Sequence, residues 1–184
     1  MHYFNFKAMR KLFHIILPMV ALLVLAACNQ YYTNQYIEIK EDGLIYKVGR
    51  DNPFTGRIID TLSNTILEYE VVNGLKNGEF KISLFNGNVT IDGKVKNNLN
   101  TGEWKYYYDN GKLESHGNFF NDYPQGKWTW YYNNGTVKEE GTFWKGKKTG
   151  DWYRYSKDNR MLSIISYDNG EKLNEVKFPA DRKV

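Results

Sequence analysis

The sequence is poor in the residues from which most catalytic and metal sites are built. Cys28 is the only cysteine, so an intramolecular disulfide and a multi-cysteine metal site are excluded. Of three histidines only His116 follows Cys28, and a Ser–His–acid arrangement in the later chain would have to use it. No catalytic motif surrounds His116. We therefore expect no enzyme, no metal site and no cofactor.

The part of the chain after Cys28 also has almost no net charge. The 184 residues have a formal net charge of +4, but Lys7, Arg10 and Lys11 precede Cys28, where there is no acidic residue. After Cys28, 22 basic residues stand against 21 acidic ones. Nucleic-acid binding needs a basic surface that neutralises phosphates, so we expect no nucleic-acid partner.

Residues 1–27 have the features of an export signal. Three basic residues precede an apolar run from Ile15 to Cys28 that only Pro18 interrupts. A helix of that length rises about 21 Å, which is shorter than the ~30 Å hydrocarbon core of a bilayer. The lengths therefore favour a cleaved signal peptide over a membrane-spanning helix.

The end of this segment, Leu25-Ala26-Ala27-Cys28, resembles the lipobox of bacterial lipoproteins. The resemblance implies that the Cys28 thiol receives diacylglycerol, that cleavage precedes Cys28, and that the freed amine is a site for a further acyl chain such as palmitate. Two or more acyl chains anchor a protein stably. We expect an exported protein that Cys28 anchors to the cell membrane or the outer membrane, with residues 28–42 as a tether. The alternative is an ordinary secretory signal.

The rest of the chain repeats with a period of 24 residues. Glycine recurs two residues before a large ring in four units: Gly78 with Phe80, Gly102 with Trp104, Gly126 with Trp128 and Gly150 with Trp152. A second glycine follows the first by 15 residues in three units: Gly93, Gly117 and Gly141. Such a periodicity is typical of proteins whose units stack on their neighbours.

Each unit is predicted to form a β-hairpin. The central dipeptides are typical of two-residue type I′ turns: Asn86-Gly87, Asn110-Gly111 and Asn134-Gly135. With that turn, Trp104 faces Gly117, Trp128 faces Gly141, and Tyr108 faces Leu113. A ring opposite a residue without a side chain can lie flat across the neighbouring strand, which explains a glycine inside a strand. We therefore expect Gly117 and Gly141 beneath Trp104 and Trp128.

Alternation along the strands assigns the side chains to two faces. The expected core face holds Trp104, Trp128 and Trp152, with Tyr106, Tyr108, Leu113 and Phe119. The other face is largely charged and exposes five candidate binding residues: Tyr107, Tyr131, Tyr155, Phe120 and Trp144. Rigid aromatic rings favour recognition at low entropic cost. The alternative is that these rings only cover the sheet.

These patterns predict an all-β fold that follows an N-terminal signal helix. The expected domain, residues 43–173, is a linear array of antiparallel hairpins forming one extended twisted sheet. The units lie near 56–77, 78–101, 102–125, 126–149 and 150–173, and residues 174–184 form a polar tail. The outer units depart from the pattern, as terminal units of a stacked array do because they cover its core.

The pattern Gly-x-Trp-x-x-Tyr-Tyr, then Asn-Gly, then a glycine and an aromatic residue, resembles the bacterial variant of the MORN repeat. The stretch Asn52-Pro53-Phe54-Thr55-Gly56 is also similar to the usual opening of such chains. The resemblance extends over residues 43–173. Similar proteins are often exported lipoproteins, and many have the label of YwqK-family antitoxins from toxin–antitoxin systems. The resemblance implies non-catalytic scaffolding or binding.

Two functions remain open at this point. The first is a membrane-tethered module that binds another envelope protein, including an antitoxin- or immunity-like role. The second is binding of an envelope glycan through surface rings. A glycan site should have rings spaced across a groove, whereas a protein site should be flatter.

The anchor can be tested directly. Cys28→Ala should leave an unprocessed precursor, because cleavage depends on lipid attachment at that thiol. The native protein should partition with membranes and detergent, and mass spectrometry of its N-terminus should find an acylated Cys28. A mature N-terminus after position 28 without added lipid mass would refute the anchor.

Overall fold

A computed structural model of the protein describes residues 31–179. The expected signal helix and Cys28 lie outside the described residues, so both stay predictions. The first described elements are β1 (Tyr31–Tyr32), a 3₁₀ turn (Asn34–Tyr36), and the two strands of a small separate hairpin, β2 (Ile37–Ile39) and β3 (Ile45–Lys47).

The remaining strands form one large sheet together with β1. Their bounds are β4 (Gly56–Leu62), β5 (Thr65–Val72), β6 (Leu75–Leu84), β7 (Val89–Lys96), β8 (Leu99–Tyr107), β9 (Leu113–Phe120), β10 (Tyr123–Tyr131), β11 (Val137–Trp144), β12 (Lys147–Tyr155), β13 (Met161–Asp168) and β14 (Glu171–Lys177). From β4 to β14 each strand pairs antiparallel with the next, and β1 pairs parallel with β4 at the edge. This open sheet of 12 strands confirms the predicted all-β array of hairpins.

The ends of the domain differ from the expectation. Residues 28–42 were expected to be a tether, yet their described part contributes β1 to the large sheet and β2 to the small hairpin. Likewise, β14 extends to Lys177, so the first residues of the expected tail 174–184 form part of a strand. Backbone pairing orders these polar stretches, and their composition alone does not reveal it.

The turn inside each hairpin is not the predicted type I′ turn. The Gly111 N–H donates to the Tyr108 carbonyl at 2.8 Å, and the Tyr108 N–H donates to the Lys112 carbonyl at 2.9 Å. Only Gly111, with φ +81°, is left-handed in this loop, because Asn110 has no positive φ. The loop is therefore a three-residue connection of the kind that ends in a glycine bulge. The bulge places Leu113 opposite Tyr107 and corrects the predicted pairing of Leu113 with Tyr108.

Type I′ geometry occurs instead between the hairpins. Each of these connections has two residues with positive φ, as at Asn97-Asn98 (51° and 67°) and Asn121-Asp122 (49° and 67°). The others are Asn73-Gly74, Lys145-Gly146 and Asn169-Gly170. The predicted unit boundaries at Gly78, Gly102, Gly126 and Gly150 therefore lie inside strands, three residues after each hairpin begins.

The predicted strand register is confirmed, but the ring over each glycine belongs to the next unit. Trp104 pairs with Gly117 and Trp128 with Gly141, as expected. A Cβ built on Gly141, however, would overlap the indole of Trp152, and one on Gly117 would overlap that of Trp128. The expectation that Trp104 and Trp128 cover these glycines is therefore wrong, because each glycine is covered by the tryptophan of the next unit.

A bulge at the first glycine of each unit explains this shift. Between β11 and β12 the pairs Glu140–Tyr153 and Thr142–Thr149 leave Gly141 alone opposite three residues, which begin with Gly150. Gly150 has φ +63°, a conformation that side chains disfavour. The extra residues bring Trp152 onto the preceding strand. The same bulge precedes Trp104 and Trp128.

Each indole is also held by a hydrogen bond to that preceding strand. The N–H of Trp104 donates to the Lys94 carbonyl at 3.0 Å, that of Trp128 to Asn118 at 3.1 Å, and that of Trp152 to Thr142 at 3.2 Å. Successive rings touch along one face of the sheet, and we call this set the aromatic ladder: Tyr69, Phe80, Trp104, Tyr106, Trp128, Trp130 and Trp152.

The two ends of the ladder are closed differently. At the start, Tyr69 occupies the glycine position and packs with Ile45, Phe54, Ile58 and Val71 in a buried cluster. At the other end Ile165, 2% exposed, fills the glycine position with its own side chain. The Lys148 ammonium lies 3.7 Å above the Trp152 ring and 3.0 Å from Glu139. Both ends therefore replace the neighbour that an inner unit would have.

The contact between ring and glycine can be tested at Gly141. Gly141→Val should destabilise the fold by roughly 1–3 kcal/mol, because the new side chain overlaps the Trp152 indole. Lys138→Val places the same residue at an exposed position of β11 and should change stability by less than about 0.5 kcal/mol. Chemical denaturation of both variants measures the difference. Equal losses would contradict the assigned contact.

Candidate binding face

The face opposite the aromatic ladder contains all five predicted binding residues. Phe119 packs on Trp128 and Phe143 packs on Trp152 in the ladder, so their strand neighbours Phe120 and Trp144 point to the other side. His116 stacks on Tyr131, and Tyr155 bonds to Glu140, whose strand neighbour Gly141 is covered by the ladder. We call this side the outer face.

Tyr107, Tyr131 and Tyr155 form a row on the outer face. They lie on β8, β10 and β12, so neighbours in the row are about 9.6 Å apart, twice the spacing of paired strands. Each ring is half-buried rather than fully exposed. Tyr131 stacks on His116 with ring centres 6.0 Å apart, and its hydroxyl is 3.2 Å from His116 Nε2. Tyr155 donates to Glu140 at 3.4 Å.

A charged strip adjoins this tyrosine row. Lys105 lies 3.0 Å from Glu103, whose other oxygen is 3.7 Å from His116 Nδ1, and Lys127 lies 2.8 Å from Glu140. The hydrogen bond from Lys105 holds the pKa of the Glu103 carboxyl below its ordinary value and raises that of Lys105. Burial, followed by the Glu140 charge, raises the pKa of Tyr155. The strip is therefore composed of paired charges.

Phe120 and Trp144 lie at the other end of the strands, away from the tyrosine row. Phe120 pairs with Tyr123 across the turn between β9 and β10. Phe120 is 66% exposed, Tyr123 is 61% exposed and Trp144 is 60% exposed. We call these three residues the edge patch. Tyr123 and Tyr131 lie at opposite ends of β10, about 27 Å apart at the rise of a strand. The five predicted residues therefore lie on two separate surfaces.

The sequence analysis missed Tyr123 as a surface residue. The only signal for it was its position opposite Phe120 across a two-residue turn, and that turn was not recognised. A hollow of about 430 Å³ opens beside Tyr123, lined by Phe120, Asn121, Gln125 and Lys145. The Gln125 side-chain oxygen accepts from the Lys145 N–H at 2.9 Å and so joins β10 to the turn between β11 and β12.

Sequence comparison accounts for the central part of the array. Residues 100–121 and 124–145 match the family model described as "MORN repeat variant". Two segments of the chain are therefore similar to this repeat. The two matches coincide with the hairpins β8–β9 and β10–β11. A search of curated proteins returned no match.

The two matched segments use their paired tyrosines in two ways. The second tyrosine of each pair is structural, because its hydroxyl donates to the backbone of the next unit: Tyr108 to the Tyr131 carbonyl at 2.6 Å, and Tyr132 to the Tyr155 carbonyl at 2.9 Å. The first, Tyr107 or Tyr131, belongs to the outer row. Only the first tyrosine of a pair is therefore a candidate for binding.

Neither a metal-ligating cluster nor a membrane-spanning helix is found in the part of the chain that the structure describes. Within residues 31–179 no group of three or more His, Cys, Asp or Glu side chains could hold a metal ion. No helix within that range is long and apolar enough to cross a bilayer.

Neighbouring tyrosines allow a matched test of the two roles. Tyr132→Phe should cost about 1 kcal/mol of stability because the Tyr155 carbonyl loses its donor. Tyr131→Phe removes a hydroxyl that faces His116 at a half-exposed position and should cost less than about 0.5 kcal/mol. Thermal or chemical unfolding compares the variants, and a larger loss for Tyr131→Phe would reverse the assignment.

Proposed function

We propose that the protein is an exported, lipid-anchored, non-catalytic scaffold that binds another envelope protein on its outer face. The observation behind this proposal is the row of Tyr107, Tyr131 and Tyr155, which a rigid sheet presents at regular spacing. Repeat arrays use such extended surfaces for recognition. An antitoxin- or immunity-like role is one form of this function, in which the bound protein is a toxin.

The position of the array fits an anchor at Cys28. The first described strand begins at Tyr31, three residues after Cys28, and it pairs with β4 at the N-terminal edge of the sheet. Acylation of Cys28 would hold that edge near the bilayer. The sheet then extends away from β1 over 11 strand spacings, about 53 Å.

The surroundings of the tyrosine row favour a protein partner. Tyrosine supplies a large, rigid contact area with a polar tip, as in many protein interfaces. The charged strip beside the row adds paired charges that can form a polar rim.

The alternative, an envelope glycan, requires a groove bordered by rings. The hollow of about 310 Å³ on this part of the outer face is lined by charged residues and glycines and contains no ring: Glu79, Asp92, Gly93, Lys94, Gly102, Glu103 and Lys105. Beside the tyrosine row, that lining favours a protein partner over a glycan.

The double variant Tyr107→Ser with Tyr131→Ser tests the row. Partner retention from the native envelope should fall ten-fold or more, because each lost anchor is worth on the order of 1–2 kcal/mol. Melting temperature should change little, since Trp104 and Trp128 are untouched. Co-sedimentation with purified peptidoglycan provides the glycan arm, where the variant should match the wild type.

Tyr36→Ser is a suitable control because Tyr36 is 56% exposed and lies at the N-terminal end, before the repeats. It should leave partner retention unchanged. If the double variant kept its partner but lost much of its stability, the tyrosines would be structural and the proposed binding face would be wrong.

A further inference from the structure

The edge patch exposes more aromatic surface than the rest of the outer face. Phe120, Tyr123 and Trp144 are each 60% exposed or more, whereas the tyrosines of the row are half-buried. An aromatic side chain buries 150–250 Å² when it is covered, so the patch leaves roughly 300–450 Å² of ring surface in water. Exposed apolar surface of this size is typical of an interaction site.

The residues around the patch are arranged symmetrically along the sheet. Tyr123 lies on β10, with Phe120 on β9 and Trp144 on β11. Two strands from β10, Leu99 lies on β8 and Lys147 on β12. Three strands from β10, Lys96 lies on β7 and Asp168 on β13. These residues all border the type I′ turns between hairpins, so they form one line along the edge of the sheet.

One pair of residues on this line carries opposite charges at equal distances from Tyr123. Lys96 and Asp168 each lie about 14 Å from β10, on opposite sides of it. Both side chains are exposed, and among residues 31–179 neither forms an ion pair. They point to the outer face, because their neighbours Val95 and Tyr167 lie on the ladder face. A surface with this arrangement is complementary to itself after a half-turn.

We propose that the edge patch binds a second copy of this chain around a two-fold axis through Tyr123. The axis runs parallel to the strands, between the outer faces of the two copies, and therefore reverses the strand order of one copy relative to the other. Phe120 then meets Trp144 of the second copy, and Lys96 meets its Asp168. Leu99 packs on the aliphatic stem of Lys147, and each contact occurs twice because a two-fold interface is isologous.

The size of the surface agrees with a reversible dimer. A stable interface buries about 800 Å² on each partner. The rings of the edge patch supply roughly half of that area as an apolar centre, and the lysines and the aspartate supply a polar rim.

Cysteine cross-linking tests the geometry in the full chain. Differently tagged Lys96→Cys and Asp168→Cys chains, expressed together, should form a disulfide-linked heterodimer on a non-reducing gel. Either variant alone should not, because two copies of the same position lie about 29 Å apart across the axis. The wild-type chain, whose only cysteine is Cys28, gives the background. Cross-links of equal yield in the single variants, or none in the mixture, would overturn the proposal.

Charge reversal tests the same contact without a covalent bond. Lys96→Asp and Asp168→Lys should each weaken dimerisation of the full chain in mild detergent about ten-fold, because each breaks two symmetric ion pairs. The double variant should recover wild-type dimerisation to within about three-fold. Sedimentation equilibrium provides the dissociation constants.

The ring contact has its own variant and control. Phe120→Ser with Trp144→Ser should weaken dimerisation by roughly a hundred-fold or more, since each anchor is lost twice. Leu173→Ser, at a position that is 66% exposed and outside the patch, should leave it unchanged. A wild-type chain that stays monomeric at all concentrations would refute the dimer. No partner is present in these assays, so their failure leaves the proposed partner binding unaffected.

Discussion

The structure depends on one repeated contact, an indole lying flat over a glycine of the preceding strand. Within residues 31–179 the small hairpin packs only on the start of the ladder, so the inner units must bury their rings on the backbone of the sheet itself. Gly93, Gly117 and Gly141 make this possible because a Cβ at any of them would overlap the ring above. The indole N–H then bonds to the same strand. Because each ring belongs to the next unit, every hairpin is stabilised by its successor rather than by itself.

This dependence explains why the repeats need special ends. The last complete ring, Trp152, has no following indole beside it, and Ile165 fills the glycine position instead. Lys148 covers Trp152 with its ammonium. At the first unit Tyr69 replaces the glycine and the small hairpin packs against it. The departures from the repeat at both ends are therefore consequences of the same contact.

The sequence predicted the features that depend only on the period of the side chains. It did not predict those that depend on backbone geometry, such as bulges and loop types. The 24-residue period and the pairing of Trp128 with Gly141 followed from alternation and turn position. The ring above Gly141 could not be predicted, because the bulge at Gly150 adds residues that no period reveals. Asn110-Gly111 fits both a two-residue turn and a three-residue loop ending in glycine, so composition does not distinguish them. Tyr123 was missed because the turn at Asn121-Asp122, which places it opposite Phe120, was not recognised.

The repeat itself separates structural from functional positions. Positions that build the ladder are nearly the same in every unit, as Trp104, Trp128 and Trp152 illustrate, because each meets the same neighbour. The position at the end of the second strand differs in every unit: Val72, Lys96, Phe120, Trp144 and Asp168. Stacking imposes no common requirement there, since these side chains point away from the ladder. A repeat protein can acquire a specific surface at a position that stacking does not constrain. A polar–aromatic–polar order of side chains along one edge is more specific than a row of identical tyrosines. By this argument the edge patch is the specific surface of this array, whereas the tyrosine row recurs with the repeat.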